Sequence, residues 1–89
     1  MGWSLSFTKS ALASLKKLDR QTASRILEYL ETRVASQENP RLLGKALVGE
    51  KYQDIWRYRV GDYRILVEIK QGTLTILVVE IGHHREIYR

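Results

Sequence analysis

A chain of 89 residues with 44% hydrophobic residues has room for one small domain, residues 1–89, around a single core. It has no cysteine, which excludes a disulfide framework and any thiolate metal site; it has no apolar run near the roughly 18–20 residues that span a bilayer, and no signal-peptide layout, so a cytoplasmic location is expected. Fifteen Lys and Arg against ten Asp and Glu give a net charge of +5, which favours an acidic partner (nucleic acid, anionic lipid or acidic protein).

The chain opens on Trp3-Ser4-Leu5-Ser6-Phe7, whose apolar–polar alternation predicts a short strand. Thr8 then suits the N-cap of a first helix over residues 9–18, with Leu12, Leu15 and Leu18 at three-residue spacing. Asp19 caps a second helix, on which Ala23, Ile26, Leu27, Leu30 and Val34 form an apolar stripe. Asn39-Pro40 closes the helical region, because a residue before proline is pushed out of the α basin. These two helices read as a hairpin. No long amphipathic basic helix marks a membrane binder, so no membrane partner is expected.

Residues 41–51, with Gly44 and Gly49, read as a loop or short helical turn. Three strands are expected next, at about 52–60, 63–70 and 73–81, joined by turns at Gly61-Asp62 and Gln71-Gly72. Leu74 to Val79 is almost continuously apolar, as in a strand covered on both faces. The predicted fold is α+β, in the order β-α-α-β-β-β. An N-terminal strand and a two-helix hairpin pack on a mostly antiparallel four-stranded sheet.

Within it, Ile55 to Val67 is the segment with the most chemistry. Closing a hairpin at Gly61-Asp62 pairs Val60 with Tyr63, Arg59 with Arg64, Tyr58 with Ile65 and Arg57 with Leu66. Alternation then sets Arg57, Arg59 and Arg64 on one face, opposite Trp56, Tyr58, Tyr63, Ile65 and Val67. Like charges directly across a ladder cost stability, so the Arg59/Arg64 pair suggests an anionic occupant. The competing reading is the solvated face of a half-exposed sheet. Trp3 and Trp56 sit on apolar-phase positions and are expected in the core.

Three segments together resemble the RelE/ParE superfamily of bacterial toxins, and within it the RelE-type mRNA interferases. They are Lys45-x-Leu47-x-Gly49, Trp56-Arg57-x-Arg59-x-Gly61-Asp62-Tyr63-Arg64-Ile65 and Gly82-His83-His84-Arg85-x-Ile87-Tyr88. The resemblance implies the toxin of a type II toxin–antitoxin system, RelE-like in fold. It implies an endoribonuclease that inhibits translation by cutting A-site mRNA on the 70S ribosome, through the 2′-hydroxyl and without a metal. A cognate acidic, RelB-like antitoxin would be the partner, with operator DNA reached only through the antitoxin complex. The ParE branch shares the fold and instead inhibits DNA gyrase.

Carried onto this chain, the resemblance makes Arg64 the transition-state-stabilising arginine and Arg57 a basic strand residue. Tyr88 falls near a C-terminal base-stacking tyrosine, and His84 or Arg85 in the region of the general acid. A second basic position of the family falls on Ile55, which cannot move protons. Arginine binds phosphate oxygens through a planar fork but stays protonated, so proton transfer is assigned to His84, with Tyr88 as alternative or stacking platform. His84 is otherwise an ordinary strand-end residue, and Tyr88 otherwise packs the tail on the sheet edge. Arg59, Arg85 and Lys45 are the expected substrate contacts, Lys45 being equally readable as solvated. Lys9, Lys16, Lys17, Arg20 and Arg25 are solvated helix faces or sequence-independent phosphate contacts. His83 and His84 are adjacent and point to opposite faces of a strand, with no carboxylate or cysteine cluster beside them, so no metal or other cofactor is expected.

Overall fold

The structure, a computed structural model, describes residues 2–47 and 54–83. Strand β1 (Ser4–Phe7) leads into helix α1 (Lys9–Lys17), and α2 (Arg20–Tyr29) continues into one turn of π-helix, Leu30–Val34. A 3₁₀ turn (Pro40–Leu43) leads to β2 (Lys45–Ala46), then β3 (Ile55–Val60), β4 (Tyr63–Lys70) and β5 (Thr75–His83). The class is the expected α+β with a helical hairpin on one face. The sheet, however, has five strands in the order β1-β5-β4-β3-β2, not four. The added strand is β2, two residues long, within the stretch read as a loop. With so few residues it carries no alternation that the sequence could reveal. The pairing is antiparallel except between β1 and β5.

The helices form where their caps allow. The Asp19 carboxylate accepts from the Thr22 hydroxyl at 2.6 Å and from the Thr22 backbone N–H at 3.1 Å, which together hold its pKa below the ordinary value. Ile26, Leu30 and Val34 of the second stripe are completely buried, whereas Leu12 of α1 stays exposed. The π turn is closed by the Ala35 N–H donating to the Leu30 carbonyl at 2.8 Å, while Thr32 and Ser36 hydroxyls bond back to the carbonyls four residues earlier. Such back-bonding competes with regular helix geometry. Beneath the helices lie Tyr58, Val60, Ile65, Val67 and Ile69 from the β3–β4 hairpin, and Ile76, Val78 and Ile81 from β5. Trp3 joins this core, while Trp56 is only half-buried.

Strand β5 breaks its own alternation. Leu66 pairs with Glu80 but Val67 with Val78, so Val79 is an extra residue, a β-bulge. The bulge reconciles Ile76 and Val78 with Ile81 as core residues and sends Glu80 to the opposite face. Thr8 clamps it. Its hydroxyl donates to the Val79 carbonyl at 3.2 Å and accepts from the Ala11 N–H at 3.0 Å, and its own N–H donates to the Val78 carbonyl at 3.0 Å. Thr8→Val keeps the shape but loses both the cap and the clamp. It is expected to cost about 1–2 kcal/mol, read as a lower urea midpoint at unchanged slope.

The β4–β5 connection is wider than the predicted Gln71-Gly72 turn. It is a 3₁₀ turn, Gln71–Thr73, followed by Leu74 in the left-handed region at φ 48°, and the strand begins at Thr75. Leu74 is half-exposed and not part of a doubly covered strand. Gly61 is the hairpin's pivot. Its φ of +60° suits glycine, and a Cβ there would meet the Arg25 guanidinium of α2 at 3.5 Å.

Candidate anion-binding site on the open face of the sheet

The hairpin register is the one read from the sequence: Val60 opposite Tyr63, Arg59 opposite Arg64, Tyr58 opposite Ile65, Arg57 opposite Leu66. Partners across a ladder share a face, so Arg57, Arg59 and Arg64 stand together, away from the helices. Strand β2 adds a second like-charge pair, because Lys45 lies opposite Arg57. Four cationic side chains from three neighbouring strands thus face one place. A cleft of about 170 Å³ lies there, lined by Leu43, Lys45, Arg57, Tyr58, Arg59 and Arg64.

One atom defines the cleft's chemistry. Nη1 of Arg64 is buried and, among the described residues, has no hydrogen-bond partner. A buried donor left unsatisfied costs about 1–3 kcal/mol, more when it carries charge. Across from Arg64 on β5 stands Gly82, so that neighbouring position carries no side chain to cover the guanidinium. Arg59 is tied differently: its Nε donates to the Gly61 carbonyl at 3.2 Å, which anchors the guanidinium at the hairpin turn. The arrangement presents oriented donors to a small anion.

The wall beyond Lys45 is supported from the core. The Tyr58 hydroxyl donates to the Pro40 carbonyl at 2.6 Å, and its ring lies so close to Gly44 that a Cβ there would sit 2.9 Å from two ring carbons. The Arg41 guanidinium lies 5.9 Å from the Trp56 ring centroid and donates to Gln71 Oε1 at 3.1 Å. Burial, reinforced by the nearby Tyr29, pushes the Tyr58 phenol up from 10 to about 12. The folded state disfavours the phenolate, so this contribution to stability is complete below pH 10 and is lost as pH rises from 10 towards 12. Denaturation midpoints across that window should fall less steeply for Tyr58→Phe than for the unaltered chain.

The remaining predicted site residues distribute as follows. His83 is paired with Tyr63, and their rings meet edge to face at 5.7 Å on the helix side of the sheet, away from the arginine cleft. His84, Arg85 and Tyr88 lie outside the described residues, as does Gly49. No group of three or more His, Asp or Glu side chains that could hold a metal occurs among the described residues. Sequence reasoning missed the supporting role of Tyr58 and Gly44 and the pairing of Lys45 with Arg57. The glycine immediately before a cationic residue was the available signal.

A basic cleft lies on the open face of a small sheet backed by a helical hairpin, which defines an α+β protein with a cationic surface site. Comparison with known proteins gives the family. The profile of the ParE toxin of the type II toxin–antitoxin system parDE matches residues 5–88. The chain belongs to this family, within the RelE/ParE superfamily of type II toxins. Solved structures share the fold. The toxin–antitoxin complex RelBE2 from Mycobacterium tuberculosis aligns with a TM-score of 0.83 at 24% identity, over 94% of this chain and 93% of that one. The isolated Escherichia coli RelE toxin aligns with a TM-score of 0.73 at 19% identity, over 91% and 83%. The RelB–RelE complex from Methanococcus jannaschii aligns with a TM-score of 0.67 at 26% identity, over 93% and 94%. No curated protein sequence matches the chain significantly. No helix among the described residues is long and apolar enough to cross a membrane.

Proposed function

We propose that this toxin is a ribosome-dependent endoribonuclease that cuts mRNA through its own 2′-hydroxyl. The observation that carries the reading is Nη1 of Arg64, buried and without a hydrogen-bond partner among the described residues, in a cleft shared with Arg57, Arg59 and Lys45. In this reaction the 2′-hydroxyl gives up its proton to a base as its oxygen forms a bond to phosphorus, and the bond to the 5′-oxygen breaks. That oxygen leaves with the electron pair and takes a proton, giving a 2′,3′-cyclic phosphate and a 5′-hydroxyl. Extra negative charge builds on the phosphoryl oxygens as the new bond forms, and donors already oriented towards them stabilise it without reorganising. Arg64 holds those oxygens, Arg57 shares the charge, and Arg59 and Lys45 bind the flanking backbone. Proton transfer is assigned to His84, substrate contact to Arg85, and base stacking or alternative proton transfer to Tyr88. No metal enters the scheme.

Partners follow from charge and kinship. The net charge of +5 suits both a ribosomal RNA surface and an acidic antitoxin. Solved relatives that share the fold are toxin–antitoxin complexes. A RelB-like antitoxin segment that folds on binding is the neutralising partner, operator DNA is met through that complex, and the cytoplasm is where the ribosomes are.

The family profile bears the ParE description, which favours a second reading: a DNA gyrase inhibitor that works by protein binding alone. Inducing the chain in growing bacteria separates the two. Primer extension on translated messages should show cuts at codon-spaced positions with intact DNA. Intact messages with gyrase-dependent DNA breaks would replace the first reading by the second.

A further inference from the structure

We propose that Tyr58 is a positioning residue that holds Lys45 in the arginine cleft, an inference that rests on the phosphate-binding reading of that cleft. Strand β2 has two residues, Lys45–Ala46, and lies at the sheet edge. So short a strand does not hold its own place, least of all when it sets a lysine directly across from Arg57. After Lys45 the ladder is closed by the Leu47 N–H, which donates to the Ile55 carbonyl at 3.0 Å. Before Lys45 the chain is held by Tyr58. Its hydroxyl donates at 2.6 Å to the Pro40 carbonyl at the head of the 3₁₀ turn, and its ring packs against Gly44, the residue preceding Lys45.

The two contacts make one clasp. Tyr58 and Pro40 are both completely buried, so the Pro40 carbonyl has no solvent to replace the phenol if it is lost. Gly44 is required by the close approach: an added Cβ would stand 2.9 Å from the ring carbons Cε2 and Cζ and 3.1 Å from the Arg57 carbonyl oxygen. The same turn carries Leu43 to the cleft lining, so the clasp places one wall of the site as well as the lysine. Arg41 over Trp56 secures the turn's outer side. Tyr58 touches the cleft lining but is almost completely buried, its hydroxyl is spent on the Pro40 carbonyl, and it acts on phosphate through the segment it holds.

Tyr58→Phe keeps the ring and removes only the donor. Two measurements on the full chain decide the proposal. The first is amide exchange, in which Leu47 should exchange on the order of tenfold faster in Tyr58→Phe while the β4 core amides of Ile65 and Val67 keep their protection. The second is binding of a fluorescent, 2′-O-methylated single-stranded RNA over a salt series. Lys45→Ala should lower the salt slope by about 0.7, the value for one phosphate contact, and Tyr58→Phe should weaken binding severalfold. Added to Lys45→Ala, Tyr58→Phe should weaken it no further, because the two changes remove the same contact. Unchanged Leu47 exchange, or an equal loss of affinity with and without Lys45, would overturn the proposal. Arg64→Ala serves as the control: if it leaves RNA affinity intact, the phosphate reading of the cleft fails, while the exchange result still decides whether Tyr58 holds the strand.

Discussion

Replacing Arg64 by methionine is expected to abolish the toxin's activity while making the protein more stable. The two effects have one origin. Among the described residues Nη1 of Arg64 is buried without a hydrogen-bond partner, and the side chain stands directly across from Arg59. The unsatisfied donor costs about 1–3 kcal/mol, and the cross-strand repulsion adds a few tenths. Methionine fills the same space without either cost, so a gain of about 1 kcal/mol in unfolding free energy is expected. Under the proposed nuclease mechanism the loss of activity is large, because removing one donor aimed at a developing oxyanion typically costs about 10²–10³ in rate. Arg64→Lys keeps the charge but not the fork, and should recover little of it. A side chain kept only as solvated surface would behave differently: its loss would move neither quantity by much.

The neighbouring residue gives the opposite result. Ile65→Ala should cost about 2–5 kcal/mol of stability. Ile65 is completely buried, with Tyr58 across the ladder on one side and Ile81 on the other. Its truncation leaves a cavity under the hairpin that places Arg59 and Arg64. A small domain has about 5–15 kcal/mol in total, so the variant should unfold at markedly lower urea or temperature. Below its transition it should still bind RNA, because the cleft side chains are unaltered. Arg64 and Ile65 are adjacent on one strand and point to opposite faces. One change should separate activity from stability, and the other should remove stability first.

What was legible in the sequence followed from periodicity and turn chemistry. The alternation around Gly61-Asp62 set the hairpin register residue by residue, since a one-residue slip would have buried the arginines. The stripe of Ile26, Leu30 and Val34 located the helix face that covers the sheet. Strand β2 was not legible, because two residues carry no period and its pairing depends on a contact between Gly44 and Tyr58 that are distant in sequence. The β5 bulge left a trace in the run Val78-Val79-Glu80-Ile81, where strict alternation would bury Glu80 or expose Ile81. Leu74 was misread for a related reason: its apolar side chain joined the strand pattern, while its backbone turns at φ 48°. Of the site, the arginines were readable because three of them fell in phase on one hairpin. The clasp behind Lys45 was not, because it joins a carbonyl, a glycine and a phenol that share no motif.

The central claim, that the arginine cleft holds a phosphodiester while its own 2′-hydroxyl attacks, is tested most directly on ribosomes programmed with paired messages. One message is all ribose; the other carries a single 2′-deoxynucleotide at the A-site position where the first is cut. The expected result is cleavage of the ribose message, leaving a 2′,3′-cyclic phosphate, and survival of the deoxy message at that position. Equal cleavage of both messages would contradict the claim, and so would survival of both.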